Sequence, residues 1–160
     1  MKKSIDHIES NPLWQVAEVK VSYSNKSKVV ELPIIKSSKD SEAILRENWG
    51  NNMELLEEFN VLFLNRANRV KGIFRLSKGG TCGTVVDFKI LFSVALKAIT
   101  SSLILAHNHP SGSLQPSDND IALTKKAKEA GKLIDINILD HLILVPNSGY
   151  YSFSDECLFF

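Results

Sequence analysis

The sequence has only two cysteines in 160 residues, Cys82 and Cys157, far apart and in no CxxC pair. That excludes a disulfide framework and a thiolate zinc cluster, and it reads as two reduced thiols of a cytoplasmic protein. No apolar run approaches the roughly 20 residues that cross a bilayer. The longest candidate, Ile136 to Val145, is interrupted by Asp140 and His141. The first ten residues, MKKSIDHIES, carry two lysines and no apolar segment behind them, so they do not read as a secretory signal. Charge of one sign is also missing. The net charge of +1 points to no polyanionic partner by itself. Internal repeats, low-complexity tracts and the GxGxxG and GKS/T phosphate loops are absent as well.

What remains is ordinary globular material, 44% hydrophobic and 23% charged, enough for one domain with a real core. Residues 1–36 read as an N-terminal extension with two short strands, Val16 to Tyr23 and Lys28 to Ile35, and residues 37–160 as the main domain. Ser38 to Asn48 looks helical, with Ala43, Ile44 and Leu45 on its apolar side. Phe59 to Leu64 is an apolar run of strand length, and Val70 to Leu76 is its partner. Asp87 caps a helix whose apolar positions Phe88, Leu91, Phe92, Ala95 and Ile99 form one stripe. Ser102 to Ala106 is a buried strand. A helix from about Ser117 to Ala130 then ends at Gly131 as its C′ residue. Ile134 to Val145 and Tyr150 to Phe153 complete the set. Strands and helices alternate, so the fold class is α/β, a mixed β-sheet flanked by helices.

Charge is unevenly placed along the chain. Between Arg66 and Lys97 stand seven basic residues (Arg66, Arg69, Lys71, Arg75, Lys78, Lys89 and Lys97) against the single acid Asp87. Such a run reads first as a solvated face and second as a DNA contact.

The chemistry concentrates in Ala106-His107-Asn108-His109-Pro110-Ser111-Gly112 and Pro116-Ser117-Asp118-Asn119-Asp120. Alternate side chains of extended backbone point the same way, so His107 and His109 aim two imidazoles at one place as the strand ends. Pro110 and Gly112 turn the chain back into a helix whose first turn holds Asp120. Two histidines and a carboxylate suit zinc, whose catalytic sites keep three protein ligands and one open position. Ser117 and Asp120 also satisfy a plain reading, the N-cap and N3 positions of a capping box. Both roles are compatible, because a capped helix end is a rigid mount for a ligand.

The spacing HxH, seven residues, Ser, two residues, Asp resembles the JAMM (MPN-plus) metalloprotease motif. HNHPSG, the run from Pro116 to Thr124, and Leu139-Asp140-His141-Leu142-Ile143 resemble the RadC family in particular, over residues 35 to 156. The resemblance implies a cytidine-deaminase-like JAB/MPN fold and one zinc on His107, His109 and Asp120. It further implies an upstream glutamate acting as general base and an oxyanion-stabilising role for Ser117. Glu57-Glu58-Phe59 matches the family's Glu-x-Phe, and Glu57 shares parity with Phe59, so Glu57 is preferred to Glu58. The implied function is zinc-dependent hydrolysis of an amide, in a peptide or isopeptide substrate. The alternative is a DNA-repair-associated accessory protein with a structural zinc, touching DNA through the Arg66–Lys97 segment. Two departures stand out. Full-length RadC proteins usually carry an N-terminal helix-hairpin-helix region, for which residues 1–36 leave no room, and the family's Pro-Arg-Glu reads Asp87-Phe88-Lys89 here. Asp140 and His141 fit either a buried structural pair or partners that orient a ligand.

Overall fold

The computed structural model describes Ser24 and residues 28–80, 83–146 and 149–158. Five strands form one mixed sheet: β1 (Glu58–Leu64), β2 (Val70–Lys78), β3 (Ser102–Asn108), β4 (Asn137–Leu144) and β5 (Tyr150–Ser152). Their spatial order is β2-β1-β3-β4-β5. β1 runs antiparallel to both β2 and β3, β3 parallel to β4, and β4 antiparallel to β5. The parallel step needs a crossover, supplied by α3 (Asp118–Lys132). The expected mixed sheet flanked by helices is therefore observed.

Every residue of β1 and β3 is buried, because helices cover both faces of the sheet. On one face α1 (Ser38–Asn48) sends Leu45 and the following Trp49 against Leu62, Leu64, Ile104, Ala106, Leu142 and Leu144. On the other, α2 (Phe88–Lys97) and α3 pack Leu91, Phe92, Ala95 and Ala127 against Phe59, Val61, Phe63, Leu103 and Leu105. Strand alternation divides the two sets residue by residue.

Four expectations need correction. Lys28 to Ile35 is not a strand. It holds a 3-10 turn at Val29–Glu31, and among the described residues only Ile34 forms a bridge, to Arg69. The companion strand expected at Val16 to Tyr23 lies outside the described residues. In α1 the buried positions are Ser41 and Leu45, continued by Trp49, while Ala43 is exposed. In α2 the stripe closes on buried Ala98 rather than Ile99, which lies beyond the helix at φ 47° and is 83% exposed. Gly131 does not end α3 but sits inside it. A Cβ there would stand 2.3 Å from the carbonyl oxygen of Ile136, whose N–H donates to the Gly131 carbonyl. The glycine allows the returning chain to press against the helix before β4 begins.

Candidate metal centre

β3 delivers His107 at its end, opposite Phe59 of β1, with the two rings stacked 6.0 Å apart. His109 follows just past the strand, and its N–H donates to the Leu144 carbonyl of β4. A tight turn begins there. The Gly112 N–H returns to the His109 carbonyl, and Gly112 adopts φ 81°, a conformation that costs glycine nothing. The chain then enters α3 through its N-cap Ser117, and Asp120 occupies N3.

This path brings three side chains together. Their ligand atoms all lie within 4.8 Å of one another. His107 Nε2 is 2.9 Å from His109 Nε2 and 3.3 Å from Asp120 Oδ1, and His109 Nε2 is 3.8 Å from Asp120 Oδ2. His109 Nδ1 faces the Ser113 carbonyl at 2.8 Å. A carbonyl only accepts, so Nδ1 carries a proton, and in the neutral ring Nε2 turns a lone pair toward the carboxylate. Neutral imidazole nitrogen beside carboxylate oxygen is an arrangement of acceptors, which a divalent cation satisfies and apolar packing does not. The residues present therefore fit a metal ion. The cluster is closed behind and open in front: His107 is 1% exposed, while the side chains of His109 and Asp120 keep 15% and 16%.

Ser117 takes both sides of a capping box. Its N–H and hydroxyl donate to Asp120 Oδ2 at 2.7 and 2.6 Å, and its Oγ accepts from the Asp120 N–H. Burial pushes the Asp120 carboxyl up, but His107, whenever its Nε2 carries a proton, and the two Ser117 donors outweigh it. The group is held well below the usual carboxylate range.

Glu57 is half-buried one residue before β1 and is not part of the three-residue cluster. Its backbone is tied on both sides, the N–H to the Gly80 carbonyl and the carbonyl to the Gly79 N–H. By alternation it shares the side of the sheet that carries Phe59 and His107. Glu58 is committed elsewhere, with its carboxylate 3.7 Å from Lys78 Nζ.

Two residues were not singled out from the sequence. Asn108, wholly buried between the two histidines, accepts from the Glu58 N–H and donates to the Met53 and Leu56 carbonyls. It fastens the loop that carries Glu57 to the strand that carries the histidines. A polar residue inside a buried strand was the available signal. The other is Thr124, 2.6 Å from His141 Nδ1, while His141 Nε2 lies 2.8 Å from His107 Nδ1. Asp140 and His141 thus part company. Asp140 faces away from the cluster and accepts from the Ser152 hydroxyl and the His141 and Ser154 N–H groups. His141 points into it.

The basic segment has visible local work. Arg69 donates to the Val30 and Leu32 carbonyls, Lys71 to those of Ala98 and Ile99, and Arg75 to that of Asn48. Arg66, Lys89 and Lys97 are exposed.

The profile of the RadC-like JAB domain matches residues 35–158. The chain belongs to that family. It is 47% identical over 131 residues to a UPF0758 protein of Flavobacterium johnsoniae, which covers 82% of this chain and 56% of that protein. A UPF0758 protein of Porphyromonas gingivalis is 40% identical over 102 residues, or 64% of this chain and 45% of the relative. One from Alkaliphilus metalliredigens is 42% identical over the same length. This RadC-like JAB domain thus spans about half the length of the curated relatives it matches. Among its described residues no helix is long and apolar enough to cross a membrane.

Proposed function

We propose that this RadC-like JAB domain is a zinc-dependent hydrolase that cleaves an amide bond, in a peptide or isopeptide substrate. The observation that carries this reading is the convergence of His107, His109 and Asp120 on one point with solvent on one side. A structural site closes four protein ligands around its ion, whereas a catalytic one leaves a position open.

His107, His109 and Asp120 would hold the ion. Zinc bound there supplies Lewis-acid chemistry, acidifying water and polarising a carbonyl at neutral pH. Glu57 takes up a proton from the attacking water and returns it to the leaving amine. Its tethered backbone keeps it on the histidine side while Glu58 is occupied with Lys78. Ser117 stabilises the oxyanion of the tetrahedral intermediate. Its single hydroxyl proton is engaged by Asp120 Oδ2, so that role requires this bond to exchange during turnover. The commitments of Arg69, Lys71 and Arg75 to backbone carbonyls favour this reading over a DNA-contacting one.

Elemental analysis of the untagged protein tests the site. About one zinc per chain is expected, lost in His109→Ala and in Asp120→Ala. Glu57→Gln then separates catalysis from structure: it should keep the zinc and the melting temperature while hydrolysis of amide substrates disappears. Full turnover in Glu57→Gln would remove Glu57 from the mechanism. No zinc in the wild type after reconstitution at neutral pH would end the enzyme reading.

A further inference from the structure

Thr124 lies one turn after Asp120 on α3 and is 3% exposed, and His141 on β4 is fully buried. The Thr124 hydroxyl stands 2.6 Å from the Asp120 backbone carbonyl and 2.6 Å from His141 Nδ1. A hydroxyl has one proton, and the carbonyl can only accept it. Thr124 must therefore accept from His141, which places a proton on His141 Nδ1. An imidazole with no exposed surface is held neutral, since burying its charged form costs too much. His141 Nε2 is then bare, and at 2.8 Å it must accept from His107 Nδ1. With one proton on the His107 ring, its second nitrogen, the one facing His109 and Asp120, is bare. The 2.9 Å between the two Nε2 atoms is then the spacing of two ligands of one ion rather than a hydrogen bond. The His141 ring has little freedom to escape this arrangement. It stacks on Phe153 at 4.9 Å and 13° and meets Phe59 at 5.5 Å.

We propose that Thr124 and His141 are positioning residues: a directed chain of donors, anchored on the backbone carbonyl of Asp120, fixes His107 in its Nδ1–H tautomer and keeps its Nε2 lone pair aimed into the metal centre before any ion arrives. The proposal rests on the metal-centre reading for its purpose, but not for its geometry. The chain starts at one ligand residue, Asp120, and ends at another, His107. It thereby locks the register of α3 against β3 and β4 to the protonation pattern of the site. Without the threonine hydroxyl, the His141 Nδ1 proton has no acceptor and moves to Nε2. It then donates to His107 Nδ1 and drives the His107 proton onto Nε2, where it faces Asp120 and competes with the ion. Partners that orient a metal-binding histidine in this way typically contribute about 10–100-fold in metal affinity.

The test uses the near-isosteric pair Thr124→Val, which loses the hydroxyl, and Thr124→Ser, which keeps it. Long-range proton–nitrogen-15 NMR of the metal-free proteins reads the His107 tautomer directly, and chelator competition reads zinc affinity. The wild type and Thr124→Ser should show His107 protonated at Nδ1. Thr124→Val should shift it toward Nε2 and bind zinc about ten-fold more weakly. Should Thr124→Val fold poorly, His141→Gln tests the acceptor itself. Its amide oxygen still accepts from His107 Nδ1, so His107 should stay protonated at Nδ1, and an Nε2–H tautomer in that variant would overturn the proposal. An Nε2–H tautomer in the metal-free wild type, or equal tautomer and affinity in Thr124→Val, would overturn the proposal. If the wild type takes up no zinc, the functional reading fails while the NMR comparison still decides the relay.

Discussion

Helices α1 and α3 begin in the same way. Ser37 caps α1, its N–H and hydroxyl donating to Asp40 Oδ2 at 2.9 and 3.1 Å and its Oγ accepting from the Asp40 N–H. Ser117 and Asp120 repeat the pattern at α3. Both carboxylates sit at N3, where the helix dipole also favours them. The surroundings differ. Among the described residues Asp40 gains one more donor, the Lys36 N–H, whereas Asp120 keeps Oδ1 for His107 and stands beside His109. A capped aspartate is thus a rigid carboxylate and nothing more. It becomes a candidate ligand when a strand end presents two imidazoles to it.

The largest expected effect comes from removing each carboxylate with and without zinc. In metal-free protein each variant loses the carboxylate of a capping box. Asp120→Ala should cost modestly more than Asp40→Ala, because Asp40 is solvated while Asp120 is partly buried beside His107. In saturating zinc the two should separate. At a thousand-fold excess over its dissociation constant a bound ion adds about 4 kcal/mol to the native state. Asp40→Ala retains that gain and Asp120→Ala loses it. Thermal melts with zinc and with chelator measure both, and a zinc-dependent rise that survives in Asp120→Ala would break the comparison.

Acid sharpens it next. Hydrogen bonds from the Lys36 N–H and the Ser37 hydroxyl hold the Asp40 carboxyl below its ordinary value. At Asp120 burial opposes the shift, and His107 with a proton on Nε2, together with the Ser117 donors, overcomes it. In both cases the folded chain binds the proton less readily than the unfolded chain. The stabilisation is therefore fully present above the unfolded value of about 4 and is lost as pH falls through the folded one. Urea unfolding between neutral and strongly acidic pH should show the metal-free wild type losing stability on the acid side. Asp120→Asn should flatten that loss clearly and Asp40→Asn only slightly, since Asp40 is solvated. An unchanged acid limb in Asp120→Asn would mean that neither His107 nor the Ser117 donors hold the Asp120 carboxyl low in the metal-free protein.

Much of this was legible in the sequence, and the parts that were not have a common cause. Periodicity placed the strands around Phe59 and Ser102 and the helices after Ser37, Asp87 and Ser117, because in these segments local pattern and burial agree. The HxH pair and the serine–aspartate cap announced the cluster, since all four residues lie in two short segments joined by one turn. Long-range bonds were hidden. Nothing local tells that Asn108 reaches Met53 and Leu56, or that Thr124 meets His141 across the space between α3 and β4. Gly131 misled for the same reason: its smallness serves a contact with Ile136 rather than the end of its helix. Lys28 to Ile35 looked like a strand from its β-branched residues, yet among the described residues only Ile34 pairs, and the segment turns through a 3-10 helix instead.

The smallest expected change in stability belongs to the capping serines. Ser37→Ala and Ser117→Ala should each lose about 1 kcal/mol in the metal-free protein, because each removes one acceptor for a helix N–H and one donor to a carboxylate. Their zinc affinities should nonetheless diverge. The Ser117 hydroxyl holds Asp120 Oδ2 and so turns Oδ1 toward His107. Its loss should weaken zinc about ten-fold, in line with other groups that orient a metal-binding carboxylate. Ser37, at the other helix, should leave zinc binding unchanged. Equal affinities in the two variants would show that the backbone N–H of Ser117 is enough to aim the carboxylate, and that the hydroxyl serves the helix alone.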